Sequence, residues 1–181
     1  MRKNKPSNFI AYIIYVIYAV IILILPVFIY SCEKKEPEAQ PDTDDVMKKI
    51  AAKFPEYENS KTIYKSGGKS TKLSDKSAMD LYSEDKSKPV DLSKIEQYSV
   101  YISEDESIEI GIFKLYDKTN AEYVKDMAHT RISKIQKDMS NEITNNAETR
   151  SYGNYVYYAS HSRKDKIFEI IENALKGGDD K

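Results

Sequence analysis

The sequence predicts an α+β fold: a small antiparallel sheet of three to four strands with helices packed on one face, preceded by an N-terminal membrane anchor. Three observations carry that expectation. In residues 97–103, Tyr98, Val100 and Ile102 alternate with Gln97, Ser99 and Tyr101, and in 107–115 Ile108, Ile110 and Ile112 share one side. That period of two is the mark of a hairpin with one strongly apolar face. Residues 117–139 instead space Ala121, Val124, Ala128, Ile132, Ile135 and Met139 three and four apart, a helical stripe. The third is an apolar run over residues 9–30, uninterrupted by charge.

That run is 22 residues long, and as a helix rising about 1.5 Å per residue it matches the roughly 30 Å of a hydrocarbon core. Arg2, Lys3 and Lys5 precede it, and basic residues before a span stay in the cytoplasm, so residues 33–181 lie on the extracytoplasmic side. Two readings of the anchor stand. One is an uncleaved transmembrane helix, favoured by length, because a secretory apolar segment usually spans about 7–15 residues. The other is lipid attachment at Cys32, the single cysteine, because Ile29-Tyr30-Ser31-Cys32 resembles a bacterial lipobox. A plain thiol at a helix end is the bland alternative for Cys32. Residues 1–32 are thus assigned to a signal peptide or membrane anchor.

Residues 33–43, with Pro37, Pro41 and a single alanine, cannot bury enough to order themselves and read as a tether. The domain proper is expected over 44–176, a size that buries about two-thirds of the unfolded surface, with a short tail at 177–181. A helix over 44–54 puts Val46, Met47, Ile50, Ala51 and Phe54 on one face, with Asp42 or Thr43 as its cap and Pro55 as its stop. A short strand is expected at 61–64, a turn-rich loop at 65–71 and a helical turn at 77–82. The hairpin and long helix follow, then a polar loop at 141–150. A tyrosine-rich strand over 151–162 and a helix over 163–176, ended by Gly177-Gly178, complete the chain. Gly111 shares its strand side with Glu109 and Phe113 and permits close approach of something above it.

Charge narrows the partners. After Cys32 there are 25 basic and 29 acidic residues, a net charge of −4 with the signs interspersed. Such a surface does not invite nucleic acid or anionic lipid. No motif implies a cofactor or a metal. Gly67-Gly68-Lys69-Ser70 lacks the first glycine of a phosphate-binding loop, since Ile63 stands there. A calcium loop begun at Asp42 would need Gly and Glu where Met47 and Lys53 stand. His129 and His161 have no metal-site spacing, and no serine sits in a nucleophile elbow. No catalytic residue is assigned. Tyr152, Tyr155 and Tyr158 offer flat apolar bodies with hydroxyls, the makings of a binding face. The abundance of tyrosine throughout the chain and its strand preference favour the other reading, in which Tyr155 and Tyr157 are core on one side while Tyr158 covers a helix or the rim.

From Tyr98 to Leu175 the chain resembles a family of small lipoproteins of low-GC Gram-positive bacteria that carry domain-of-unknown-function 4358. The residues that carry the resemblance are Ile108-Glu109-Ile110-Gly111-Ile112-Phe113-Lys114 in the hairpin, Arg131-Ile132 and Gln136-Lys137 in the long helix, and Gly153-Asn154-Tyr155-Val156 at the last strand. The resemblance implies an extracytoplasmic, membrane-tethered α+β domain and no particular activity. One pair follows from physics. A glutamate among isoleucines on a strand is costly to bury alone, and arginine is the residue best shaped to accompany it. Glu109 and Arg131 are therefore expected to lie together, as a structural pair or as part of a binding site.

The function expected from these residues is a membrane-anchored, non-enzymatic ligand- or partner-binding domain, held to the membrane by its anchor and open to a small ligand or an envelope protein. The alternatives are an envelope enzyme or enzyme accessory, and a single-pass transmembrane component of the envelope.

Overall fold

The computed structural model describes residues 40–57, 62–67, 71–85, 88–103, 108–138 and 142–178. They fall within one compact unit, Glu38–Lys181. The anchor segment and Cys32 lie outside the described residues, and among those described no helix is long and apolar enough to cross a membrane.

Helix α1 spans Thr43–Lys53, α2 Asp75–Tyr82, α3 Ala121–Asp138, α4 Glu142–Asn145 and α5 Lys164–Leu175. The strands are β1 Thr62–Lys65, β2 Ile95–Ile102, β3 Glu109–Leu115, β4 Glu148–Tyr152 and β5 Tyr155–Ser160. They form one sheet in the order β1-β2-β3-β5-β4, antiparallel throughout. The expected hairpin is β2–β3, with Val100 opposite Gly111 and Tyr101 opposite Ile110. The expected single strand over 151–162 is instead a second hairpin, β4–β5. Gly153, at φ 57°, makes its turn, a left-handed conformation that glycine adopts without steric cost. The count is thus five strands, against three to four expected.

Helices cover both faces of the sheet, which corrects the expectation of one. On the first face α1 and α5 bury Val46, Met47, Ile50, Ile167, Phe168 and Ile171 against Tyr101, Ile110, Ile112, Tyr155 and Tyr157. On the second face α2 and α3 bury Tyr82, Val124, Ala128 and Ile132 against Val100, Phe113, Leu115, Val156 and Tyr158. The physical reason is visible in the central strands. Every residue of β3 and of β5 is buried, so neither strand has a solvent side, and antiparallel strands with two apolar faces need cover on both.

The tether ends earlier than its composition implies. Pro41 O accepts a hydrogen bond from the Tyr155 hydroxyl at 2.7 Å, Asp42 accepts one from Gln97 Nε2 at 2.8 Å, and the buried Thr43 hydroxyl meets that of Ser99 at 3.0 Å. Asp42 holds the N-cap position of α1 by its backbone, yet its side chain makes no cap bond because Gln97 occupies it. In α2 the cap is regular: Ser74 Oγ accepts from Ser77 N at 3.1 Å.

Candidate functional site

Glu109 and Arg131 are brought together under α3. Glu109, first residue of β3, is fully buried, and Arg131 is 7 % exposed. Arg131 Nη2 donates to Glu109 Oε2 at 2.6 Å, and Nε reaches Oε1 and Oε2 at 3.1 and 2.9 Å. The Tyr158 hydroxyl also donates to Glu109 Oε1, and it lies 3.0 Å from the Tyr82 hydroxyl of α2. Because a carboxylate only accepts, the proton order is fixed: Tyr158 donates to Glu109, and Tyr82 donates to Tyr158. Burial alone would lower the Arg131 guanidinium; the Glu109 charge outweighs it and holds Arg131 above its ordinary value. Burial first, and the Glu109 charge second, push Tyr158 and Tyr82 up, so both remain protonated donors.

Gly111 makes room for this arrangement. A Cβ there would stand 2.2 Å from Tyr158 Cε1. The ring above Gly111 is the close neighbour that a glycine at this position permits. Tyr158 stacks on Phe113 at 6.2 Å and meets the edge of Tyr82 at 6.4 Å. Of this network, Glu109 and Arg131 were legible as charge and counter-charge. Tyr82 had no signal of its own beyond being a tyrosine in a short amphipathic segment.

The three tyrosines proposed as one binding face do not form one. Tyr158 points under α2 and α3, whereas Tyr155 is core beneath α1 and α5 on the opposite face. Tyr152 pairs across the hairpin with Tyr155, is half-buried, and has Lys176 Nζ 5.5 Å from its ring. Side-chain alternation along β5 sends neighbours to opposite faces, and both faces here are covered.

The two histidines are separate. His129 is exposed on α3, while His161 is buried at the end of β5 against Phe54 and Tyr57. Both nitrogens of His161 are engaged: Nδ1 accepts from Arg163 N at 2.8 Å, so Nε2 carries the proton and donates to Glu56 at 2.9 Å. Among the described residues no cluster of three metal-ligating side chains occurs.

The depressions lie elsewhere. One of about 510 Å³ borders the start of α1, and its charges serve each other, Asp44 and Asp45 with Lys48, and Asp44 with Lys65. Another, of about 490 Å³, opens between the end of α2, residues 83–85 and 88–90, and α3. Tyr82, Val90, Tyr123 and Met127 line its inner part, and Glu84, Lys88 and Asp126 stand at its rim. Tyr82 thus belongs both to the wall of this depression and to the buried Glu109 network.

Fold and site define an α+β domain with a five-stranded antiparallel sheet between two helical layers. No protein-family model, no curated sequence and no solved structure matches the chain, so nothing about activity is carried over from the resemblance of residues 98–175.

Proposed function

We propose that the chain is a membrane-anchored protein, a lipoprotein attached through Cys32 or a single-pass protein held by residues 9–30, whose extracytoplasmic domain binds a ligand or partner and performs no chemistry on it. The observation that carries the binding half is the depression between α2 and α3. It combines aromatic and aliphatic walls with charges of both signs at the rim, the composition of a recognition site. Its wall residue Tyr82 is held through Tyr158 by the buried Glu109–Arg131 pair, which supports a preformed site rather than one assembled on binding. Two carboxylates packed against buried side chains are already committed, Glu109 to Arg131 and Tyr158, and Glu56 to His161 and Arg163.

Thermal unfolding of residues 38–181 against cell-wall fragments, sugars, peptides, nucleosides and metal ions tests the reading. A ligand at 100 times its dissociation constant adds about 2.7 kcal/mol, which raises the midpoint by several degrees. One chemical class is expected to give that shift, and Val90→Trp, which fills the depression, is expected to abolish it. A shift that survives Val90→Trp unchanged, or turnover of the bound compound, would overturn the proposal.

A further inference from the structure

Tyr116 is the exposed large apolar side chain of the described residues, with 69 % of its surface in solvent. It directly follows β3, and its N–H donates to Lys94 O at 3.3 Å, which places it where β2 begins and β3 ends. A shallow hollow of about 320 Å³ at that end is lined by Tyr116, Lys118, Asn154 and Gln40 among others. Gln40, directly before the anchored Pro41, lines the same hollow, so the chain from the N-terminal side enters the domain beside Tyr116. The junction is fixed by the bonds to Pro41 and Asp42 already described. Cys32 precedes Gln40 by eight residues, and at no more than about 3.6 Å each these span at most roughly 29 Å.

We propose that this end of the domain rests on the lipid headgroup layer, with Tyr116 as its interfacial contact. The inference depends on the membrane-anchor reading and adds an orientation to it. A tyrosine presents an apolar ring and one hydroxyl, and such side chains concentrate where hydrocarbon meets headgroups. Asp117 and Lys118, both exposed beside it, balance each other's charge, so the contact rests on the ring and hydroxyl of Tyr116 rather than on attraction to anionic headgroups. A weak contact suffices, because a short tether gives an effective concentration on the order of millimolar.

The chain contains no tryptophan, so Tyr116→Trp gives one unambiguous fluorophore in the full-length protein. Lys137→Trp is the control: Lys137 is exposed near the far end of α3, about 24 Å along the axis from Ala121. Each variant is reconstituted in vesicles of equal parts phosphatidylcholine and phosphatidylglycerol, with and without brominated acyl chains. The expected result is blue-shifted emission, quenched by the brominated lipid, for Tyr116→Trp and not for Lys137→Trp. Protein that floats with the vesicles while Tyr116→Trp stays red and unquenched overturns this inference alone. Protein that fails to float overturns the anchor reading and this inference together. A blue shift that follows protein density rather than lipid bromination assigns the surface to a second copy of the chain and also overturns it.

Discussion

Replacing Glu109 with leucine leaves the Arg131 guanidinium buried without its counter-charge and the Tyr158 hydroxyl without its acceptor. Removing one partner of a buried pair costs about 3–5 kcal/mol. For a domain of this size each kcal/mol moves the midpoint by about 3 °C, so Glu109→Leu is expected to lower it by roughly 9–15 °C. Arg131→Met strands the carboxylate instead and is expected to cost a similar amount. The double variant Glu109→Leu/Arg131→Met removes both charges and puts apolar volume in their place, which is often close to neutral. Urea unfolding of residues 38–181, read by circular dichroism, closes the cycle. The expected coupling is at least about 2 kcal/mol, with the double variant more stable than either single one. Single variants that cost under about 1 kcal/mol, or a double variant that costs their sum, would refute the claim that these charges depend on each other.

Further outcomes follow from other parts of the molecule. Gly111→Ala puts a methyl group into the Tyr158 ring, which cannot swing aside without leaving Glu109 and Tyr82; urea unfolding is expected to show a loss of about 1–3 kcal/mol. Burial would raise Glu56, but its own backbone bond, His161 and Arg163 outweigh it, and bonds from Arg150 and Lys164 lower Glu148, so both carboxyls sit below their ordinary value. Their stabilisation is complete above the unfolded value near pH 4.5 and is lost as pH falls through the folded ones. Midpoints scanned from neutral to acid should therefore drop below about pH 4.5, less steeply in Glu148→Gln. Burial raises Tyr57, Tyr82, Tyr155, Tyr157 and Tyr158, so their stabilisation holds below the unfolded value near pH 10 and is lost as pH climbs toward the folded ones. In an ultraviolet titration these five should ionise only when the domain unfolds; a single smooth transition with the fold retained would contradict their burial.

The parts of the fold that could be read from the chain are those where one face differs chemically from the other. The isoleucines of β3 and the stripe of α3 declare their period, and Glu109 stands out because nothing else in Ile108–Phe113 carries charge. The second hairpin was not legible in the same way. β4, Glu148–Tyr152, is a polar edge strand without alternation, and its strand character comes from pairing with β5 rather than from its own residues. Gly153-Asn154 was visible as a pair but reads equally as the opening of a strand. The two-sided cover of the sheet was encoded in the unbroken apolar run Tyr155–Ala159, a sign of strands buried on both faces. The tyrosines misled for the same reason: with no solvent side on β5, none of its tyrosines can be a surface.

The most direct test of the central claim is protease accessibility of the full chain in protoplasts of a Gram-positive host, with mass analysis of the protein extracted from the membranes of untreated cells. The chain is expected to stay in the membrane fraction, and external protease is expected to remove the 38–181 domain. The mass then separates the two anchors: an intact chain of 20.8 kDa means a retained helix, and a chain beginning at a lipidated Cys32 means a lipoprotein. A chain recovered from the soluble fraction, or a domain protected until the cells are lysed, would contradict the account.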